Sequence, residues 1–183
     1  ALAKKKLIKA GNAVSIIPGD MRNFKLNKTF DLIFIGFNSF LHLLKDEDAI
    51  SCFNCVKKHM HANSRFLIDI FTPNPLFLYR PEDARFPVLE YTDSNTDESV
   101  YVEESNVYDP DTEINELTWY FSTKKKKDFA VEYFSMRMYF PSKMNQLLID
   151  SGFRILHQWG DYYRTELGEG SKLQIYDVQK ASY

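Results

Sequence analysis

Apolar residues in the first half of the chain fall in short unbroken runs rather than in strict alternation. Phe30 to Phe37 reads FDLIFIGF and Arg65 to Phe71 reads RFLIDIF, the pattern of strands covered on both faces in a parallel sheet. Between them, Asp46 to Met60 has helical periodicity, with Asp46 placed as the N-cap, acids in the first turn, and Lys57, Lys58 and His59 near the end. Upstream, Leu2, Leu7 and Ile8 stand among lysines before Gly11-Asn12, so Ala1 to Ala10 reads as a helix end. Ala13 to Ile17 reads as a short strand closed by Pro18-Gly19. Strand, acidic turn, strand, helix, strand is the order of a doubly wound, Rossmann-like α/β sheet.

The pattern then changes. Phe86 to Phe140 is rich in Tyr, Val, Phe and Thr, with turn residues at Asp109-Pro110-Asp111 and from Lys124 to Asp128, which predicts antiparallel hairpins. Apolar positions are odd at Leu117, Trp119 and Phe121 and again at Phe129, Val131 and Tyr133, then even at Phe134, Met136, Met138 and Phe140. A change of face within one strand requires an extra residue, so a bulge is predicted near Tyr133-Phe134. Helical periodicity returns at Pro141, ends at Gly152, and is followed by strands near Arg154 to Trp159 and Leu173 to Val178. The expected division is an α/β core, partial, over residues 1–85 and 141–183, with an antiparallel insertion over 86–140. Internal repeats and low-complexity linkers are absent from the sequence.

Composition narrows the partners. A chain of 183 residues that is 44% hydrophobic can bury one ordinary core. The formal net charge of -2 offers no global attraction to nucleic acid or to an anionic membrane. The sequence has no long apolar run, and with two cysteines three apart in one predicted helix it is expected to be cytoplasmic.

Three constellations carry candidate chemistry. The run FDLIFIGF breaks into Gly36, Phe37, Asn38 and Ser39, a small residue, an aromatic and two polar side chains at a strand tip, where open α/β sheets bind ligands. Cys52, Cys55 and His59 fall at i, i+3 and i+7, and with His61 they admit a zinc reading. The same helical face carries the apolar residues that pack on the sheet, so the cysteines are read as buried small hydrophobes and no metal is assigned. The four lysines from Lys124 to Lys127 read as a solvated hairpin tip.

Taken in order, Gly19-Asp20-Met21-Arg22, FDLIFIGFNSFLHLL, the helix with RFLIDIF, the antiparallel insertion and the LLIDSGF helix end resemble the class I S-adenosylmethionine-dependent methyltransferases. The similarity is greatest to the small-molecule group that includes the amino-sugar N-methyltransferases. It implies S-adenosyl-L-methionine as cofactor, with Asp20 accepting a hydrogen bond from the adenine amino group and Met21 packing on the ring. It also implies that Gly36, Phe37 and Asn38 line the methionine side, that His42 handles the proton of the nucleophile, and that Arg137 reaches a small-molecule substrate. Trp119 and Tyr139, among the aromatic residues of the insertion, join the substrate side on this reading; such insertions also serve as dimer sheets or as a second small core. The glycine-rich turn and the acid ending the next strand, which hold the cofactor in that group, are not found, and Gly168-Glu169-Gly170 does not replace them. Those elements are expected before Ala1, in a longer product or a second chain that fills a gap beside the FDLIFIGF strand. The rival reading is a non-catalytic interaction module.

Overall fold

The computed structural model describes residues 14–181; the helix end expected at Ala1 to Ala10 lies outside them. Two four-stranded sheets form the frame. The first runs β1 (Phe30–Ile35), β2 (Met60–Phe71), β8 (Leu173–Lys180), β7 (Phe153–Trp159). β1 and β2 are parallel, with Phe34 opposite Leu67 and Ile35 opposite Ile68, and β8 is antiparallel to both of its neighbours.

One face of this sheet is covered by α1 (Asp46–Lys58) and α3 (Pro141–Asp150). Phe53 of α1 meets Phe66 of β2 and Phe153 of β7 edge-on, with ring centroids 6.3 and 5.8 Å apart, and stacks on Phe40 at 5.2 Å. Met144 and Leu148 of α3 and Ile68 and Ile70 of β2 complete the cluster, all fully buried. Pro141 opens α3 at its first position, where a missing N–H costs nothing, and Gly152 follows it with φ +78.

Asp46 is not the N-cap expected from the sequence. Lys45 holds that place without a side-chain bond, and the Asp46 carboxylate instead accepts from Arg137 Nη1 at 2.5 Å and Lys143 Nζ at 2.6 Å. Two cations outcompete a backbone amide for the same oxygens.

The second sheet is wholly antiparallel, in the order β3 (Phe86–Thr92), β4 (Ser99–Asp109), β5 (Ile114–Thr123), β6 (Ala130–Arg137). The bulge expected near Tyr133-Phe134 is absent: β5 and β6 pair without a break from Ile114 opposite Arg137 to Phe121 opposite Ala130. Both faces of β6 carry aromatic residues. Phe134 points to the Trp119 side, while Tyr133 stands 77% exposed on the other, so no change of face occurs. The irregularity lies in β3, between Pro87 and Leu89, where proline has no N–H to give the ladder. A short 3₁₀ turn, Ser39–His42, touches β2 and β6, and the one-turn helix α2 (Pro75–Leu78) touches β4. These contacts set the second sheet against the loops that follow β1 and β2.

Residues 14–17 form no strand, contrary to expectation, and Val14, Ile16 and Ile17 are exposed. A strand requires a ladder partner, and among the described residues none pairs with this segment. Among the described residues β1 is accordingly an edge, and its Leu32 and Phe34 are 53% and 71% exposed, so it is not covered on both faces as its sequence predicts. Because Phe53 joins both helices' side of the core to three other rings, Phe53→Ala is expected to lower unfolding stability by about 3–5 kcal/mol, read as a shift of the urea midpoint.

Candidate functional site

β1 ends in a strained turn. Phe37 (φ 55) and Asn38 (φ 59) are consecutive left-handed residues without being glycine, a conformation costing about 1–3 kcal/mol each unless the surroundings impose it. Here they do: the Asn38 Oδ1 accepts from Phe71 N–H at 2.7 Å, Asn38 N–H donates to Asp69 O at 3.3 Å, and Ser39 Oγ donates to Gly36 O at 2.8 Å. The Asn38 amide thus ties the tip of β1 to the end of β2 rather than facing a crevice. Phe37 is left 96% exposed, and a Cβ at Gly36 would meet only the Phe34 ring at 3.8 Å.

On the α1 side of β1, the segment from Gly19 to Leu26 turns back through Asn23 N–H to Asp20 O at 3.0 Å. The Asp20 carboxylate accepts from Arg22 N at 2.8 Å, Nε at 3.0 Å and Nη2 at 2.7 Å, and Arg22 Nη1 reaches Asp48 of α1 at 2.9 Å. The Arg22 guanidinium and amide hold the Asp20 carboxyl down at about 2, so it is ionised throughout the physiological range. Between this segment and β1 lies a cavity of about 470 Å³, lined by Asp20, Met21 and Phe24 on one wall and Ile33, Phe34 and Ile35 on the other.

A second cavity of about 460 Å³ shares Phe34 and Ile35 and extends past Gly36 and Phe37 to Asp69 and Tyr162. Tyr162 donates to the Asp69 carboxylate, and this bond pushes the phenol's pKa up. Neither residue is singled out by sequence reasoning. The one signal is the acid inside RFLIDIF, since a carboxylate within a buried run needs a partner.

The substrate-side candidates separate into two groups. His42, on the 3₁₀ turn, is exposed, and its Nδ1 lies 3.3 Å from the Ser135 carbonyl of β6. A carbonyl only accepts, so Nδ1 donates, and in the neutral ring the lone pair lies on Nε2. Its ring is 6.4 Å from Phe134, which in turn meets Trp119 edge-on at 5.3 Å. The Trp119 Nε1 donates to Glu104 at 2.7 Å. His42 and Trp119 therefore lie at one seam, though His42 lines neither cavity.

Arg137 and Tyr139 are turned into the framework instead. The guanidinium, 10% exposed, is bound by Asp46 and by Glu113 at 3.0 Å, and the fully buried Tyr139 donates to Leu43 O at 2.5 Å, with burial pushing its pKa up. Cys52 and Cys55 are buried, and the Cys55 Sγ donates to Phe24 O at 3.0 Å; Cys55 and His59 bind the backbone of the 19–26 segment.

No family model and no curated protein matches the chain. Solved structures do. The chain aligns over 98% of its length with 70% of an S-adenosylmethionine-dependent methyltransferase from Clostridium acetobutylicum, at TM-score 0.79 and 19% identity. It aligns equally well, at TM-score 0.79 and 16% identity, with the CcbJ methyltransferase from Streptomyces caelestis, again over 98% of this chain and 69% of that one. CalS10, an amino pentose methyltransferase from Micromonospora echinaspora, aligns at TM-score 0.64 and 15% identity, over 97% of this chain and 70% of that one. The fold is that of the S-adenosylmethionine-dependent methyltransferases. The chain spans about 70% of the length of the structures it matches.

The Asp20–Arg22 pair makes one solution prediction. The Asp20 carboxyl should titrate near about 2 by carbon NMR, and Arg22→Gln should return it toward the ordinary 3.8. Since the folded value is depressed, the pair's contribution to stability is complete above the unfolded value and is lost as pH falls through the folded one.

Proposed function

We propose that this chain takes part in S-adenosylmethionine-dependent methyl transfer to a nitrogen or oxygen of a small molecule. The observation that carries the reading is the cavity between the Asp20 segment and β1. Its volume suits a small ligand, and its lining suits a purine: an ionised acceptor at one edge, with Met21, Phe24 and Phe34 as apolar walls. The Asp20 carboxylate accepts only, which matches an exocyclic amino group and rejects a carbonyl in its place. Arg22 fixes the carboxylate and in turn is fixed by Asp48 at the start of α1.

When bound, the cofactor supplies a methyl carbon already activated by its sulfonium. The residues of this chain then need to hold the nucleophile and take its proton. His42 is suited to the second task, because Ser135 O fixes its tautomer and leaves Nε2 as the basic atom. Trp119 and Phe134 provide an aromatic wall beside it. The exposed Leu32 and Phe34 on the edge strand favour a second reading, in which the fold binds a polypeptide and no cofactor.

Calorimetry with the full chain separates the two. S-adenosylmethionine and S-adenosylhomocysteine should both bind, and Asp20→Asn should weaken them by about 10- to 100-fold, the value of a hydrogen bond to a charged acceptor. Binding of neither would favour the interaction module. In the methyltransferase assay, His42→Gln should lower kcat by about 100-fold or more while leaving cofactor affinity in place; an unchanged kcat would remove His42 from the reaction.

A further inference from the structure

The segment that carries Asp20 and Met21 belongs to no sheet. Apart from turns within itself, its described backbone bonds run to two side chains at the end of α1. Phe24 N–H donates to Cys55 Sγ at 3.2 Å, Cys55 Sγ donates to Phe24 O at 3.0 Å, and Leu26 N–H donates to His59 Nε2 at 2.8 Å. The Phe24 ring stacks on the His59 imidazole, with centroids 4.5 Å apart and planes inclined by 28°. His59 is 3% exposed and follows directly on α1 as its C-cap.

The charge state of the ring follows from its partners. His59 Nδ1 lies 2.8 Å from the Cys55 carbonyl, which can only accept, so Nδ1 carries a proton. Nε2 faces the Leu26 N–H, which can only donate, so Nε2 must be bare. The imidazole is therefore neutral in this arrangement. A second proton would set two N–H groups head-on at the Leu26 bond and turn an attraction into a repulsion inside a buried contact.

The neighbours do not offset that proton. The titratable groups nearest along the packed elements are Cys55, Lys57 and Lys58 on α1, His61 in β2, Asp20, Arg22 and Lys25 on the segment, Lys28 beside it and Asp31 in β1; Asp20 and Arg22 are paired with each other, and Lys57 donates to Ser151 O. Among the described residues none of them is hydrogen-bonded to the ring nitrogens, and the Asp31 carboxylate is engaged by His61 Nε2 at 2.8 Å.

We propose that His59 and Cys55 are positioning residues that clasp the 19–26 segment against α1, and that protonation of His59 releases its half of the clasp and loosens the cavity wall at Lys25 and Leu26. The effect on cofactor affinity rests on the function proposed above; the release of the segment does not. Cys55 keeps Phe24 attached and Asp48 keeps Arg22, so the opening is confined to Lys25 and Leu26, which line the same cavity.

The test uses the full chain without ligand. Amide hydrogen exchange at Leu26, corrected for the intrinsic rate, should lose protection by about tenfold between about pH 8 and about pH 5, in step with protonation of His59 followed by nitrogen NMR. Protection that stays constant while His59 titrates would overturn the proposal, as would a His59 that stays neutral over the whole range. His59→Gln, which keeps a side-chain acceptor but does not titrate, should give a flat profile, and a persistent pH dependence in that variant would also overturn it. A parallel calorimetric series should show S-adenosylhomocysteine affinity falling by about tenfold over the same range in the wild-type chain only. Absence of S-adenosylhomocysteine binding at about pH 8 would count against the methyltransferase reading alone, since the exchange measurement needs no ligand.

Discussion

Among the described residues β1 pairs with β2 alone, and the arrangement of the site follows from how that strand is held. Its register on β2 is set by the parallel ladder from Leu32 to Ile35, and its tip is fixed by the Asn38 carboxamide on Phe71 N–H. That bond is what lets two adjacent non-glycine residues remain left-handed. The cavity lies between this strand and the Asp20 segment.

The same economy appears at the start of α1. Its first-turn acids read in the sequence as helix-dipole partners, yet they act as anchors for distant elements. Asp48 receives Arg22 from the 19–26 segment, and Asp46 receives Arg137 from the end of β6 and Lys143 from α3. One helical turn therefore ties both flanks of the site to a helix whose other face is set in the core by Phe53 and Cys52. The far end of the helix does similar work through Cys55 and His59. α1 is thus the element to which the 19–26 segment and the end of β6 are fastened.

Local patterning carried much of the fold. The positions of β1 and β2, the two long helices, the Gly152 stop and the antiparallel character of the insertion are all visible in hydrophobic period and turn chemistry, because each depends on neighbours within a few residues; the exposure of Leu32 and Phe34 on β1 is not. Features that depend on partners far along the chain were misread. Residues 13–17 have strand composition but, over the described part, no ladder to join. The aromatic residues of β6 imitate a change of face because both faces carry rings. Arg137 has the look of a substrate ligand until Asp46 and Glu113 are brought to it, and the pairing of Asp69 with Tyr162 joins residues 93 positions apart. At the candidate site, Asp20, Met21 and the strand tip are singled out in the sequence by a resemblance of ordered motifs, and the structure sets Asp20 and Met21 across a cavity from β1, whereas the dependence of that segment on His59 and Cys55 is hidden behind a zinc-like spacing.

The central claim is that the cavity between the Asp20 segment and β1 receives the nucleoside of a methyl donor. A crystal structure of the full chain with S-adenosylhomocysteine addresses it directly. The account requires the purine between Met21 and β1, its amino nitrogen about 3 Å from the Asp20 carboxylate. Ligand bound outside that space, with the carboxylate turned only to Arg22, would contradict it.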